Sequence, residues 1–372
     1  MTLAAVVVLV AAGCGPAGAP RERAGVARDR AAAVGPAPAP AAESVALVWG
    51  LHHADRAAHR LRRDPAVSAA TVLGRGVALL RAKPGYAIPL DAISVNARRY
   101  ARTVPPDARA AFAGLRHGTT VISQTEAGLR RAHPGTVLRL ADGRRMRAVA
   151  VVADDVLHDA EVAVAAGDPR VPPLRTTVIA SLRAPLTRRD LIRRTERGAA
   201  ARILPGGPLR ASGPIGPARP GLLKVRFGEP AVGLPYGSDW IRVDPTFVRR
   251  YIVTRRVPIL GSVRCHRAMV PHLRAALAEL ARRGLAGLVD PGDYAGCYAP
   301  RRIQPRGQLS LHAWGLAVDL NASRNPFRGR SEQDRRLVRV MERHGFTWGG
   351  RWPTRPDPMH FEFRGGPQAA SE

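Results

Sequence analysis

The chain is 372 residues long and carries Lys+Arg 58 against Asp+Glu 29, a formal net charge of +29. That length accommodates two ordinary domains and a tail, and the charge draws the protein toward polyanions such as anionic lipid or an anionic wall polymer. Aromatic residues make up only 5% of the chain, and no zinc-finger, helix-turn-helix or RNP-like pattern occurs, which argues against nucleic acid as a partner.

Residues 1–14 form a short apolar run ending in Val10-Ala-Ala-Gly-Cys14. Small residues ahead of a cysteine resemble a bacterial lipobox, so Cys14 is expected to be lipidated and to anchor the chain at the outer face of the cytoplasmic membrane. The run is too short to span a bilayer itself. Residues 15–43 are rich in Ala, Pro, Gly and Arg. They bury too little apolar surface to fold and read as a disordered tether.

Residues 44–183 read as a small α+β domain. Strand-like runs at 136–140 and 146–152 flank Asp142-Gly143, a hairpin signal. Residues 176–182 are a further strand candidate, and 106–115 read as a short helix. The run Gly135-Thr-Val-Leu-Arg-Leu140, with its paired strands, resembles the extracellular domains of bacterial ABC-transporter permeases. The six histidines of this region (His52, His53, His59, His117, His133 and His158) lack ligand spacing with acidic partners and read as surface or core residues.

Residues 184–224, first arginine-rich and then Pro/Gly-rich, read as a linker. A second domain is expected over residues 225–366, α+β with an antiparallel sheet, because its helices and strands do not alternate. Residues 268–283 show an apolar stripe of Met269, Leu273, Ala276, Leu277 and Leu280, closed by Gly284, and predict a helix. A second helix is expected to start at Ser331, with Asp334 three residues on in a capping-box position. In an exported chain, Cys265 and Cys297 are expected to form a disulfide, stabilising by about 3–4 kcal/mol in the chain-entropy model. His266, His272 and His344 lie near these helices and read as capping or packing residues.

The densest chemistry lies in Ser310-Leu-His312-Ala-Trp-Gly315-Leu-Ala317-Val-Asp319 and Asp357-Pro-Met-His360-Phe-Glu362. Period-2 alternation puts Ala317 and Asp319 on one face of a strand, with Leu316, Val318 and Leu320 on the other. His360 and Glu362 share one face of a second strand. If the two strands are adjacent and antiparallel, His312, Asp319 and His360 converge on one ion. Nitrogen and oxygen donors without a thiolate favour a catalytic Zn2+ over a structural one. Asp357, set on a turn by Pro358, is the candidate general base. Glu362 is the rival base, though orienting a histidine ligand is its more natural role.

Both motifs, in this order and together with Trp348-Gly-Gly350 and Trp352, resemble the M15 family of peptidases. These are the VanY-type D-Ala-D-Ala carboxypeptidases and the related L-Ala-D-Glu endopeptidases. The resemblance covers roughly residues 225–366. It implies a hedgehog-like α+β fold, zinc held by His312, Asp319 and His360, Asp357 as base, and peptidoglycan stem peptides as substrate. The family also places a substrate-binding arginine ahead of the first motif. Arg301 fits best, with Arg302 as rival, and Ser310 is a further candidate substrate contact. The family's base is commonly Glu, and here it is Asp. Competing expectations are a non-catalytic cell-wall-binding protein that keeps zinc for stability, and a zinc peptidase acting on another secreted peptide.

Overall fold

The computed structural model describes residues 44–204, 220–237, 239–303, 307–352 and 355–365. Cys14 and the expected tether lie outside these residues. The first strands and helices are β1 (Ser44–Trp49), α1 (Ala54–Arg62), β2 (Val67–Lys83), β3 (Tyr86–Val95), α2 (Ala97–Tyr100), β4 (Thr119–Ser123) and α3 (Gln124–Arg130). They are followed by β5 (Val137–Arg139), β6 (Arg145–Val152), β7 (Val162–Ala165), β8 (Arg175–Leu182), α4 (Arg188–Arg194), β9 (Ala200–Leu204), α5 (Pro220–Phe227) and β10 (Val232–Gly233).

These strands build one large mixed sheet in the order β5-β6-β4-β7-β3-β2-β8-β1-β9, with β10 added beside β3. Pairs β3–β7 and β4–β6 are parallel and the others antiparallel. The expected hairpin is present as β5–β6 in antiparallel register around Asp142 and Gly143. Residues 106–112 form a 3-10 helix rather than an α-helix, held at its start by Pro105 and Pro106. Leu61, Ala57 and Ala58 of α1 turn one apolar face onto the sheet and are fully buried there.

Regular structure also runs into the stretch read as a linker. Thr187 and Asp190 form a reciprocal capping box that starts α4, a signal present in Thr187-Arg-Arg-Asp190 but hidden among arginines.

The remaining elements are α6 (Pro245–Tyr251), β11 (Ile252–Val257), β12 (Gly261–His266), α7 (Val270–Arg282), β13 (Tyr294–Gly296), β14 (Ala317–Leu320), α8 (Arg335–Arg343), β15 (Phe346–Trp348) and β16 (His360–Phe363). Strands β11 and β12 form a hairpin, and β13-β14-β16-β15 form a four-stranded antiparallel sheet. Helix α7 follows its expected stripe, burying Leu273, Ala276, Leu277 and Leu280. Helix α8 starts four residues later than expected. Asp334 is its N-cap, not its third residue, because its carboxylate accepts the Arg336 N–H at 2.7 Å. Both helices pack into a core shared with Phe361, Phe363, Leu316 and Val318.

The described residues belong to one compact unit. Strand β10 pairs with β3 through Val232↔Ala87 and Gly233↔Tyr86, while Val232 also packs into the core under α7. A buried Lys224 on α5 meets Glu161 at 2.7 Å and donates to the Pro89 carbonyl at 2.9 Å. An ammonium in so apolar a setting is tolerable only with such partners. No helix among the described residues is long and apolar enough to cross a membrane.

Candidate metal centre

His312 lies in a single 3-10 turn, Leu311–Ala313, whose N-cap is Ser310. The Ser310 hydroxyl accepts the His312 N–H at 3.4 Å. Gly315 then takes φ +67°, and a Cβ there would stand 2.7 Å from the His266 nitrogen of β12. Glycine is therefore what lets the chain turn into β14 directly against the neighbouring hairpin.

Across the sheet, Asp319 is paired with His360 and Ala317 with Glu362. Alternation places these four side chains on one face, while Val318 and Phe361 point into the core. The convergence expected from the two motifs is thus produced by strand register.

His312 Nε2 lies 3.1 Å from both His360 Nδ1 and Asp319 Oδ2, and His360 Nδ1 lies 2.8 Å from Asp319 Oδ1. All three residues are buried. Tetrahedral zinc with bonds of 2.0–2.1 Å would separate its ligand atoms by about 3.3 Å, so the donor set matches one face of such a tetrahedron.

The outward nitrogens strengthen the case. His312 Nδ1 is 2.8 Å from the Cys297 carbonyl, and His360 Nε2 is 3.3 Å from Glu362 Oε1. Both partners only accept, so each outer nitrogen carries its hydrogen and the inner nitrogens are the ones that would face a metal. Two inward nitrogens and a carboxylate facing one another could hold a metal ion between them. Among the described residues no other group of His, Cys, Asp and Glu is arranged to hold a metal.

Without a metal, the electrostatics put a proton on His360 in the place a cation would take. Burial pushes the His360 imidazole down, but hydrogen bonds to Asp319 and Glu362 outweigh it and leave the group raised to about 10 without a metal. Burial lowers His312, against the opposing pull of Asp319. Burial opposes ionisation of Asp319, yet the two histidines hold its carboxyl well below the usual range. For Glu362 burial is likewise opposed, mainly by Arg364, and the carboxyl is drawn down to about 2. Arg364 Nε contacts Glu362 Oε2 at 3.0 Å. Glu362 is thereby engaged on both sides, by His360 and by Arg364.

Asp357 differs from all of these. Its Oδ1 is buried without a hydrogen-bond partner, and burial raises its pKa above the carboxylate norm. It lies within electrostatic reach of His360, Asp319, Arg301 and Glu362. Its backbone is clamped: the Asp357 N–H donates to the Gly349 carbonyl at 3.0 Å, and its carbonyl accepts from His360 at 3.1 Å. A Cβ on Gly349 would stand 2.7 Å from the Asp357 oxygen, which explains a small residue in Trp348-Gly-Gly350.

The two arginine candidates separate cleanly. Arg301 Nη2 donates to Asp319 Oδ2 at 3.2 Å with its side chain 30% exposed, so it spans the ligand set and solvent. Arg302 turns away, over the Tyr236 ring at 5.2 Å and onto the Gly237 carbonyl. Ser310 is occupied in capping the His312 turn.

Two neighbours had no sequence signal. Tyr294 of β13 stands near Asp319, and burial together with that carboxylate raises its hydroxyl to about 12. Trp240 is bridged through its backbone to Arg301 and is 67% exposed. Trp352 lies beside His360, its ring tilted 57° to the imidazole with centres 5.4 Å apart. His266, His272 and His344 stay out of the site: His266 accepts from Ala268, His272 lies against Phe363, and His344 meets Glu279. Cys265 and Cys297 are disulfide-bonded, with Cα atoms 5.4 Å apart.

A family model described as D-alanyl-D-alanine carboxypeptidase, of the M15 peptidases, matches residues 304–363. That span includes Ser310, all three metal-site residues, Asp357 and Glu362, and it supports an M15-type peptidase domain here. No curated protein matches the chain. Among solved structures, a domain described as part of a permease from Porphyromonas gingivalis aligns at 13% identity and TM-score 0.28, covering 45% of this chain and 90% of that one. The periplasmic region of MacB from Actinobacillus actinomycetemcomitans aligns at 10% identity and TM-score 0.28, covering 44% and 88%. The extracellular domain of the ABC-type transporter YknZ from Gram-positive bacteria aligns at 11% identity and TM-score 0.28, covering 43% and 99%.

Proposed function

We propose that the chain is a zinc-dependent peptidase that cleaves peptidoglycan stem peptides, with removal of a terminal D-Ala as its reaction. The observation that carries this reading is the buried group of His312, Asp319 and His360, beside a buried carboxylate with an unpartnered oxygen, inside the span that matches the carboxypeptidase family. The hedgehog-like fold of that family is part of the same reading, supported by the all-antiparallel sheet that carries Asp319 and His360.

His312, Asp319 and His360 would hold the ion, leaving a fourth position for water or substrate. Zinc in such a site supplies Lewis acidity, polarising a carbonyl and making water acidic enough to attack near neutral pH. The protein's own groups do the rest. Asp357, with a raised pKa and no competing donor on Oδ1, takes the proton of the attacking water and returns it to the leaving amine. Arg301 binds the substrate's carboxylate or the oxyanion that forms at the scissile carbonyl. Glu362 and the Cys297 carbonyl fix the imidazole rings so that their bare nitrogens face inward.

Export, lipidation of Cys14 and attachment to the outer face of the cytoplasmic membrane belong to the same reading. The net charge of +29 suits a location among anionic wall polymers. The test is mass spectrometry of a pentapeptide-stem muropeptide incubated with the protein, with and without a chelator. Loss of one D-Ala that the chelator stops and added zinc restores is the expected result. Chelator-sensitive cleavage within the stem would replace it by an L-Ala-D-Glu type endopeptidase. An untouched stem with zinc bound would leave a non-catalytic wall-binding protein.

A further inference from the structure

Arg301 and Ser310 stand side by side at the open end of a paired segment whose described arms are residues 301–303 and 307–310. Arg302 bridges Leu309, the Ile303 N–H donates to the Gln308 carbonyl at 2.7 Å, and the Ser310 N–H donates to the Arg301 carbonyl at 3.0 Å. One arm therefore presents Arg301 to Asp319 while the other starts the turn of His312.

The far end of this segment is fastened to the large sheet. The Gln308 side-chain amide donates to Asp91 Oδ2 on β3, and the Tyr236 hydroxyl donates to the Gly307 carbonyl at 2.5 Å. Leu174 packs directly against Gly307. Asp91 is 8% exposed, and its own N–H donates to Glu161 Oε2 at 2.8 Å. Burial pushes its carboxyl up, with Lys224 and then the Gln308 amide pulling it back. A carboxylate kept in such a place needs its few partners, so the contact with Gln308 resists being broken.

We propose that Asp91 is a positioning residue for the metal centre, acting through Gln308 to set the arm that carries Arg301 against Asp319. The large sheet is then part of the catalytic frame rather than an independent module. The effect on substrate rests on the peptidase reading above; the effect on the metal site does not.

The full-length chain with Asp91→Ala, Asp91→Asn and Gln308→Leu would be compared with wild type in three readouts: kcat and KM on a pentapeptide stem, zinc dissociation constant, and visible spectrum of the Co2+-loaded protein. Gln308→Leu keeps the chain foldable if Asp91→Ala does not, and a thermal melt identifies that case. We expect KM to rise roughly tenfold for Asp91→Ala and Gln308→Leu, from a misplaced substrate group, with a shifted Co2+ spectrum and near-normal behaviour for Asp91→Asn, whose amide oxygen still accepts from Gln308. In an Arg301→Ala background the same changes should raise KM no further. KM effects that add fully to Arg301→Ala, or a Co2+ spectrum unchanged by Gln308→Leu, would overturn the proposal. If wild type leaves the stem intact, the peptidase reading falls, and the Co2+ spectra still decide whether Asp91 positions the site.

Discussion

The Cys297 carbonyl accepts the Nδ1–H of His312 at 2.8 Å, so a half-cystine's backbone decides which nitrogen of a metal-site histidine is bare. The disulfide to Cys265 ties that carbonyl to β12, the strand whose His266 N–H donates to the Gly315 carbonyl at 2.9 Å. Covalent and hydrogen-bonded restraints thus meet on one ligand.

Replacing both cysteines by serine should therefore do two things. Unfolding in urea should show a loss of about 3–4 kcal/mol, the chain-entropy value for a loop closed over a separation of 32 residues. Zinc affinity, measured by competition with a chromophoric chelator, should fall by roughly tenfold as the carbonyl loosens. Lost stability with unchanged zinc affinity would separate the bridge from the metal centre.

Glu362→Gln keeps the shape of the side chain but removes the charge that holds His360 Nε2–H. Zinc affinity should drop by about 10- to 100-fold, the usual cost of losing such an orienting partner. The base role would instead predict normal zinc content and lost turnover, so metal analysis beside kinetics distinguishes the two.

Asp357→Asn should give that second pattern: full zinc loading and kcat lower by about 10²–10⁴, the range supplied by a positioned proton acceptor. Isothermal titration with zinc and turnover of a stem peptide test it together.

Stability should also vary with pH through the buried charges beneath α5. Burial raises Glu126 to about 7, with Lys224 and Arg130 opposing and Glu161 adding to the shift. Its unfolded value is near 4.5. The folded protein thus binds the extra proton more tightly, and this group's contribution is fully present below about 4.5 and lost as pH rises toward 7. Urea midpoints should fall between pH 5 and pH 7.5, and Glu126→Gln should flatten that slope at equal zinc concentration. An unchanged slope in the variant would assign the effect to Asp91 and Glu161, both also raised by burial.

The clustering of His312, Asp319 and His360 was legible because these residues lie in two short runs, and alternation alone predicts which side chains share a face. Asp319 opposite His360 is what that pattern requires once the strands are neighbours. The separation of Arg301 from Arg302 was not legible: adjacent residues in an extended arm point opposite ways, and only the partner on each side identifies the inward one. Tyr294 was invisible for another reason. It reaches Asp319 through a strand of three residues that carries no periodic signal. In the first half of the chain, Asp142-Gly143 announced its hairpin. The seventeen-residue β2 did not stand out, because Gly74 and Gly76 interrupt its run, although its burial alternates from Gly74 to Leu80. The late start of α8 follows from Asp334, whose carboxylate serves its own helix better as a cap than inside the first turn.

Pairing of β14 with β16 has an evolutionary corollary. Side chains in a strand change sides at every step, so a one-residue slip of β16 against β14 would carry His360 and Glu362 into the hydrophobic interior and turn Phe361 toward the metal-site face. No intermediate register preserves either half. Length variation in descendants of this chain should therefore collect in the surface segments between β14 and α8 and around Arg351–Trp352, with the spacing from Asp357 to Phe363 held constant by folding even in copies that have lost catalysis.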